Sequence, residues 1–594
     1  MLLKKFFNDI NLNREDKYYL LFLLGFSILL TYLMIHFHQS RGAFNSDIFR
    51  YLPAALDFAG LNYNHISDPS WMYNSPVICY LTSILFKLGY VQIESIFVVT
   101  GFFGILGIFG IYTFLKSRFS PILSLTGTIL YSSFSLTLFY YSNGMLDNSA
   151  VAMMLWTFIF VIAAVNKNYK YYCLVGISFA ICIFIRFTST FILSLIVLYI
   201  LKDHDLINLL ECLFYDKSLF KQKLINFFKS PEFKWMLISL IVLIISILYV
   251  FYILLSFNSE IGYFSMASSS LNHFQGPTLY NYVEDKLFYI KNFLSLLFSS
   301  RITSEGMIEN FNKPSILAYF IVLMVISGFV LKLINLLKNK KFFKSNKKSL
   351  DFRTRNSKMI LSVVILILLI VSFISLDYNY ILSLFTIWLV FLIAMSLIRE
   401  YPIDKNNFAL LILCLGLFVF YLIIFSLMDL KCVRYILPIF PAFVYFAIYS
   451  LEVILKFIEY GFNDEKVSHN TSCFSRNNVR KNIVKIIPIV LILILLFITF
   501  NFTNTVEIDN IGVEIDSVSN YLIKHDSEYQ QKEIGVKSGE MFYEWYFQKK
   551  IDVIDVDNLN STNYSYIITW PQLNNENYHE IYHSGGTYLY ERNY

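Results

Sequence analysis

Two carboxylates and three cations stand at the ends of apolar runs, where a chain of this composition has little reason to keep a charge. Asp47 lies in "FNSDIFRYLPAAL" (44–56), Asp147 in "GMLDNSA" (144–150) and Arg186 in "RFTS" (186–189); Lys431 and Arg434 lie in "KCVRYILPIFPAF" (431–443). A carboxylate with a reference pKa of about 3.9 is ionised at neutral pH and can take a proton from a hydroxyl. Guanidinium and ammonium groups hold anions. Each residue also has a bland reading. Asp147 can cap a helix that starts at 149, and Arg434 can snorkel to lipid headgroups. Asp57 sits inside a helical run and Asp68 in the turn-like "SDPS", so both read as structural. The grouping is the signal, because ionisable residues kept at span ends mark function by default.

The elements that must position these residues are membrane spans. The chain has 594 residues, of which 56% are hydrophobic and only 15% charged, whereas soluble domains carry about 25% charged residues. Apolar runs of about 20 residues recur, each long enough to cross a hydrocarbon core of about 30 Å. The sequence predicts about thirteen spans, near 17–37, 94–115, 120–141, 149–165, 171–185, 188–201, 235–257, 315–337, 359–376, 380–398, 408–427, 435–455 and 485–502. The run 77–90 is too short to span and is read as an interfacial helix within the loop 38–93. The run 171–202 is split at "RFTS", which leaves Arg186 at the interface.

Charge sets the expected orientation. Segment 338–358 has nine basic residues and one acidic residue, while the tail 503–594 has fifteen Asp or Glu against six Lys or Arg. Under the positive-inside rule the N-terminus and 338–358 are cytoplasmic. Residues 38–93 and the tail then face outward, and all five site residues gather at the outer face. The expected layout is a multi-pass plasma-membrane protein with a transmembrane domain, 1–502, and a small extracytoplasmic α/β domain, 503–594. Helices are expected at 514–527 and 539–549, and strands at "IDVIDV", "SYIITW" and "TYLYER". The net charge of +6 is spread between apolar runs and points to no nucleic-acid partner. Seven scattered cysteines make neither a disulfide framework nor a metal cluster.

Several segments together resemble a known family. After the first span come Asp47, Tyr51, Ala54, Ala55, Gly60 and Pro76, then "VICYLTSILFKLG"; later come "GMLDNSAVAMML" and "KCVRYILPIFPAF". This order resembles the GT-C membrane glycosyltransferases, in the family 39-like branch of protein O-mannosyltransferases and lipid A aminoarabinose transferases. Two departures stand out. Asp47 is followed by Ile48 where many relatives have an acidic pair, and Glu94 stands where relatives often have arginine at the start of the second span.

The resemblance implies a predominantly α, GT-C-like fold and transfer of a sugar from a polyprenyl-phosphate donor to a lipid, glycan or protein acceptor, with inversion. It implies Asp47 as base, with Asp147 orienting the acceptor or supporting the site. Arg434, Arg186 and Lys431 would take the phosphate. No metal and no cofactor beyond the lipid-linked sugar are expected. The competing class is a transporter or lipid flippase, which would place charges near the midplane and carry an inverted repeat.

Overall fold

The computed structural model describes residues 14–41, 47–61, 75–203, 217–256, 285–305, 308–338, 352–375, 379–398, 404–427, 431–460, 474–508, 511–555, 563–570 and 572–593. Asp68, Asp429 and most of the basic segment 338–358 lie outside the described residues.

The first half of the chain runs through α1 (Arg14–Arg41), α2 (Ile48–Ala59), α3 (Pro76–Lys87), α4 (Glu94–Lys116), α5 (Pro121–Ser133), α6 (Ser135–Phe139), α7 (Leu146–Asn166), α8 (Tyr172–Ile185) and α9 (Ile192–Ile200). It continues with α10 (Lys217–Lys229), α11 (Pro231–Ser256), α12 (Phe288–Leu297) and a hairpin of β1 (Ser299–Glu305) and β2 (Ile308–Pro314). The second half holds α13 (Ile316–Lys338), α14 (Phe352–Ser375), α15 (Tyr380–Ile398), α16 (Lys405–Leu427), α17 (Phe440–Tyr460) and α18 (Phe474–Asn501).

Among the described residues, eight helices are long and apolar enough to cross a membrane, and six shorter apolar helices accompany them. The chain is a multi-pass, predominantly helical membrane protein. Helix α3 has 12 residues and is about 18 Å long, too short to span. The break expected at "RFTS" is present: α8 stops at Ile185, Arg186 is extended (φ −153°, ψ 118°), and a 3-10 turn over Phe187–Phe191 leads into α9. The expected span 120–141 is interrupted at Phe134, which is extended between α5 and α6.

The centre of the bundle is α7, packed on α4 and α8. A Cβ added at Gly107 would meet the Ala152 Cβ at 3.4 Å, and one at Gly110 would meet the Leu155 Cβ at 3.3 Å. Side-chain-free positions on α4 thus let α7 approach closely, which substitutes for the missing hydrophobic drive between helices in lipid. That contact fixes the helix whose first turn carries Asp147.

The C-terminal region contains β3 (Val506–Ile508), α19 (Ile511–His525), β4 (Ile534–Val536), α20 (Glu540–Phe547), β5 (Asp552–Val553), β6 (Tyr566–Thr569), β7 (Tyr578–Ser584) and β8 (Thr587–Arg592). Strands β4 to β8 form a five-stranded sheet in the order β5-β4-β6-β8-β7, with the β4 pairings parallel and the others antiparallel. Strand β3 joins a second sheet, pairing in parallel with β1 so that Ile302 faces Val506. The tail is therefore tied to the β1–β2 hairpin by backbone hydrogen bonds. Helix α2 falls on the helical run expected around Asp57, whereas α10, α12 and the hairpin are absent from the sequence-based expectations, as are strands β3, β4 and β7.

Candidate active site

Asp47 opens α2. Its carbonyl accepts from the backbone N–H groups of Arg50 (3.0 Å) and Tyr51 (3.3 Å), while its side chain makes no capping bond. The carboxylate turns instead to Arg434, whose Nη2 donates to Asp47 Oδ2 at 2.6 Å. Arg50 Nη1 lies 3.6 Å from the other oxygen. Burial works against the ionised carboxylate, but the charges of Arg434 and Arg50 outweigh it and hold its pKa below the usual value.

Arg434 sits on a 3-10 turn, Val433–Ile439, that leads into α17. Tyr289 of α12 pins the start of this turn, its hydroxyl donating to the Cys432 carbonyl at 2.9 Å. Beyond Asp47, Arg434 directs Nε to within 3.7 Å of Asp147 Oδ2 and Nη1 to within 3.6 Å of the Met145 sulfur. Asp147 is 3% exposed and lies inside the first turn of α7, after Met145 at the cap position. It is not the cap; its carboxylate pairs with Arg186. Arg186 is steadied in turn by Thr188, whose Oγ1 accepts from Nε at 3.3 Å, and by the Tyr435 ring, 4.9 Å from the guanidinium carbon.

Asp47, Arg434, Asp147 and Arg186 thus form one chain of alternating charge, drawn from α2, the turn before α17, the start of α7 and the break after α8. With Arg50, three guanidiniums face two carboxylates, leaving one positive charge in excess. Among the described residues, the buried Asp147 Oδ2 and Arg434 Nε find no hydrogen-bond partner, so this pair attracts through charge at a distance that leaves both able to take another partner. Behind them lies a cavity of about 10 Å³ bordered by Asp147, Arg186, Thr188, Tyr421 and Tyr435, which has room for roughly one water.

Lys431 is placed differently from the other four. Its ammonium donates to the carbonyls of Phe425 (3.1 Å) and Ser426 (2.7 Å) at the end of α16, where a cation complements the helix dipole. Asp57 lies ten residues along α2 from Asp47, near its far end. The residues that sequence reasoning missed are Tyr289, Thr188, Met145 and Tyr435. Thr188, Met145 and Tyr435 carried a signal in lying within two residues of Arg186, Asp147 and Arg434, whereas Tyr289 carried none. Among the described residues no group of three or more His, Cys, Asp or Glu side chains is arranged to hold a metal.

Residues 73–213 match the family described as dolichyl-phosphate-mannose-protein mannosyltransferase. The resemblance read from the sequence is borne out over that segment. It includes Asp147 and Arg186 and stops short of Asp47 on one side and Arg434 on the other. No curated protein matches the chain. Among solved structures, ArnT from Cupriavidus metallidurans bound to undecaprenyl phosphate is similar at 11% identity, covering 96% of this chain and 97% of that one with a TM-score of 0.48. The Archaeoglobus fulgidus oligosaccharyltransferase tethered with an acceptor peptide is similar at 9% identity, covering 92% of this chain and 69% of that one with a TM-score of 0.41.

Proposed function

We propose that this protein is a GT-C-type membrane glycosyltransferase that moves a sugar from a polyprenyl-phosphate donor to an acceptor hydroxyl at the outer face. The observation that carries the reading is the alternating chain Asp47–Arg434–Asp147–Arg186; the family match over 73–213 supports it. A donor of this class keeps its isoprenoid tail in lipid and its phosphosugar at headgroup level. A site for it needs cations for the phosphate and a carboxylate for the incoming hydroxyl, on groups that enter from span ends.

The chemistry follows from exchange of partners. The donor phosphate takes Arg434 and Arg186, replacing part of their present carboxylate contacts with charge-assisted bonds to phosphate. Asp47 loses its closest cation, so its carboxylate becomes more basic. The acceptor oxygen attacks the anomeric carbon while its proton passes to Asp47. The bond from that carbon to the phosphate oxygen breaks, polyprenyl phosphate leaves, and the configuration inverts. The arginines stabilise charge growing on the departing phosphate, a contribution of several kcal/mol in preorganised sites. Asp147 holds Arg186 in place and orients the acceptor. Lys431, anchored at the end of α16, adds positive potential behind the phosphate.

The test is incubation of membranes containing the protein with radiolabelled polyprenyl-phosphate sugars, followed by identification of the labelled product. Label transferred to a lipid, glycan or protein supports the reading and names the acceptor. Label that crosses the bilayer while still attached to its carrier would identify a flippase instead.

A further inference from the structure

One helix of the tail rests on the element that carries Asp47. Phe542 of α20 meets Phe49 of α2 edge-on, with ring centroids 4.7 Å apart, and Trp545 of the same helix stacks against Phe86 of α3 at 6.2 Å. All four rings are buried. Phe49 is two residues from Asp47. The neighbouring Ile48 packs against the turn that leads to Asp147: a Cβ on Gly144 would meet the Ile48 side chain at 3.1 Å.

Within its own helix the Asp47 side chain makes no capping bond and meets Arg50 at 3.6 Å. Two grips on its neighbours, one at Ile48 and one at Phe49, fix the start of that helix and with it the direction of the carboxylate. One grip belongs to the bundle. The other belongs to the tail, which is itself fixed to the β1–β2 hairpin through the β1–β3 pairing.

We infer that Phe542 is a positioning residue: α20 clamps the start of α2 through the Phe49–Phe542 contact and so holds Asp47 toward Arg434. The inference rests on the reading of Asp47 as the base. It assigns the tail a part in the transfer step, acting from outside the charged chain. A displacement of about 1 Å at a reacting group is enough to cost about 10²-fold in rate, so a clamp two residues away can decide turnover without touching substrate.

The test uses the full-length protein in lipid nanodiscs, with Phe542→Ala, Phe542→Leu and, as a control on the edge strand β7, Tyr582→Ala. Two quantities are read: sugar transfer, split into kcat and the KM for donor, and amide exchange over residues 48–59. Phe542→Ala should lower kcat about tenfold or more, leave donor KM unchanged and speed exchange at the start of α2. Phe542→Leu, which refills most of the contact, should recover much of both, and Tyr582→Ala should change neither. Unchanged exchange or unchanged kcat in Phe542→Ala overturns the inference, as does a Tyr582→Ala variant with the same defects, which would mark general loosening of the tail. If the wild type transfers no sugar, the glycosyltransferase reading fails. The exchange over α2 then decides the clamp by itself.

Discussion

Arg434 is the residue on which the charge arrangement turns, because it approaches both carboxylates, at 2.6 Å and 3.7 Å. A buried ion pair of this kind recovers its desolvation cost only with good geometry and added hydrogen bonds. Removing one partner is severe, since it strands the other charge. Arg434→Ala should therefore cost transfer about 10²–10³-fold, the loss typical of a preorganised donor in an active site, and should also weaken folding near α2. Arg434→Lys keeps the charge but loses the fork that reaches Asp47 and Asp147 together, so it should recover only part of the rate. Steady-state transfer by both variants, with donor binding measured separately, checks this. An alanine variant with wild-type turnover would make Arg434 a headgroup anchor.

At the scale of elements, the site depends on how tightly the turn before α7 can close. Gly144 has φ +81°, and a Cβ there would meet Ile48 and Ile96 at 3.1 Å. Gly144→Ala should cost about 1–3 kcal/mol in backbone strain alone and should reduce transfer by shifting Ile48 and Asp147 apart. Gly25→Ala, where a Cβ meets nothing within 4 Å, is the matched control. Thermal midpoints and transfer rates of the two variants should separate clearly. The tail adds a pH dependence. Burial pushes Glu544 of α20 up to about 7 from an ordinary 4.5, against a hydrogen bond from the Ile551 N–H, with Glu540 and Asp552 adding to the rise and Lys550 opposing it. A carboxyl that binds its proton more tightly when folded favours the fold while protonated. Tail stability should thus fall as pH rises from about 4.5 to 7 and level off above. Glu544→Gln should flatten that slope, as read by amide exchange over 511–555 corrected for intrinsic rates. A slope unchanged in the glutamine variant would place its origin elsewhere. The elements themselves were partly legible in the sequence. Apolar runs and a polar interruption are local signals, so the apolar helices and the break at Arg186 could be read, while the number that cross the membrane could not. The Tyr289–Cys432 bond, the β1–β3 pairing and the seat of α20 on α2 join residues more than 100 positions apart, and no periodicity encodes them.

At the scale of the whole molecule, the four charged residues at the site come from segments spread over nearly 390 residues, and they meet only if each span ends at the same face. Their types and span-end placement were legible; their pairing was not, nor was the turning of Lys431 toward α16. Orientation follows from charge: 338–358 should be cytoplasmic and 503–594 outside. Cysteines introduced at Lys348 and at Asn577 test this in intact cells, where an impermeant thiol reagent should label only the second. The reverse pattern would place the charged chain on the inner face. The most direct test of the central claim compares purified wild type with Asp47→Asn, measuring sugar transfer from a polyprenyl-phosphate donor alongside donor binding. The substitution is nearly isosteric and removes the proton acceptor, so transfer should fall by about 10²-fold or more while the donor still binds. An Asp47→Asn protein that transfers at the wild-type rate, beside an Asp147→Asn protein that does not, would contradict the account and exchange the two roles.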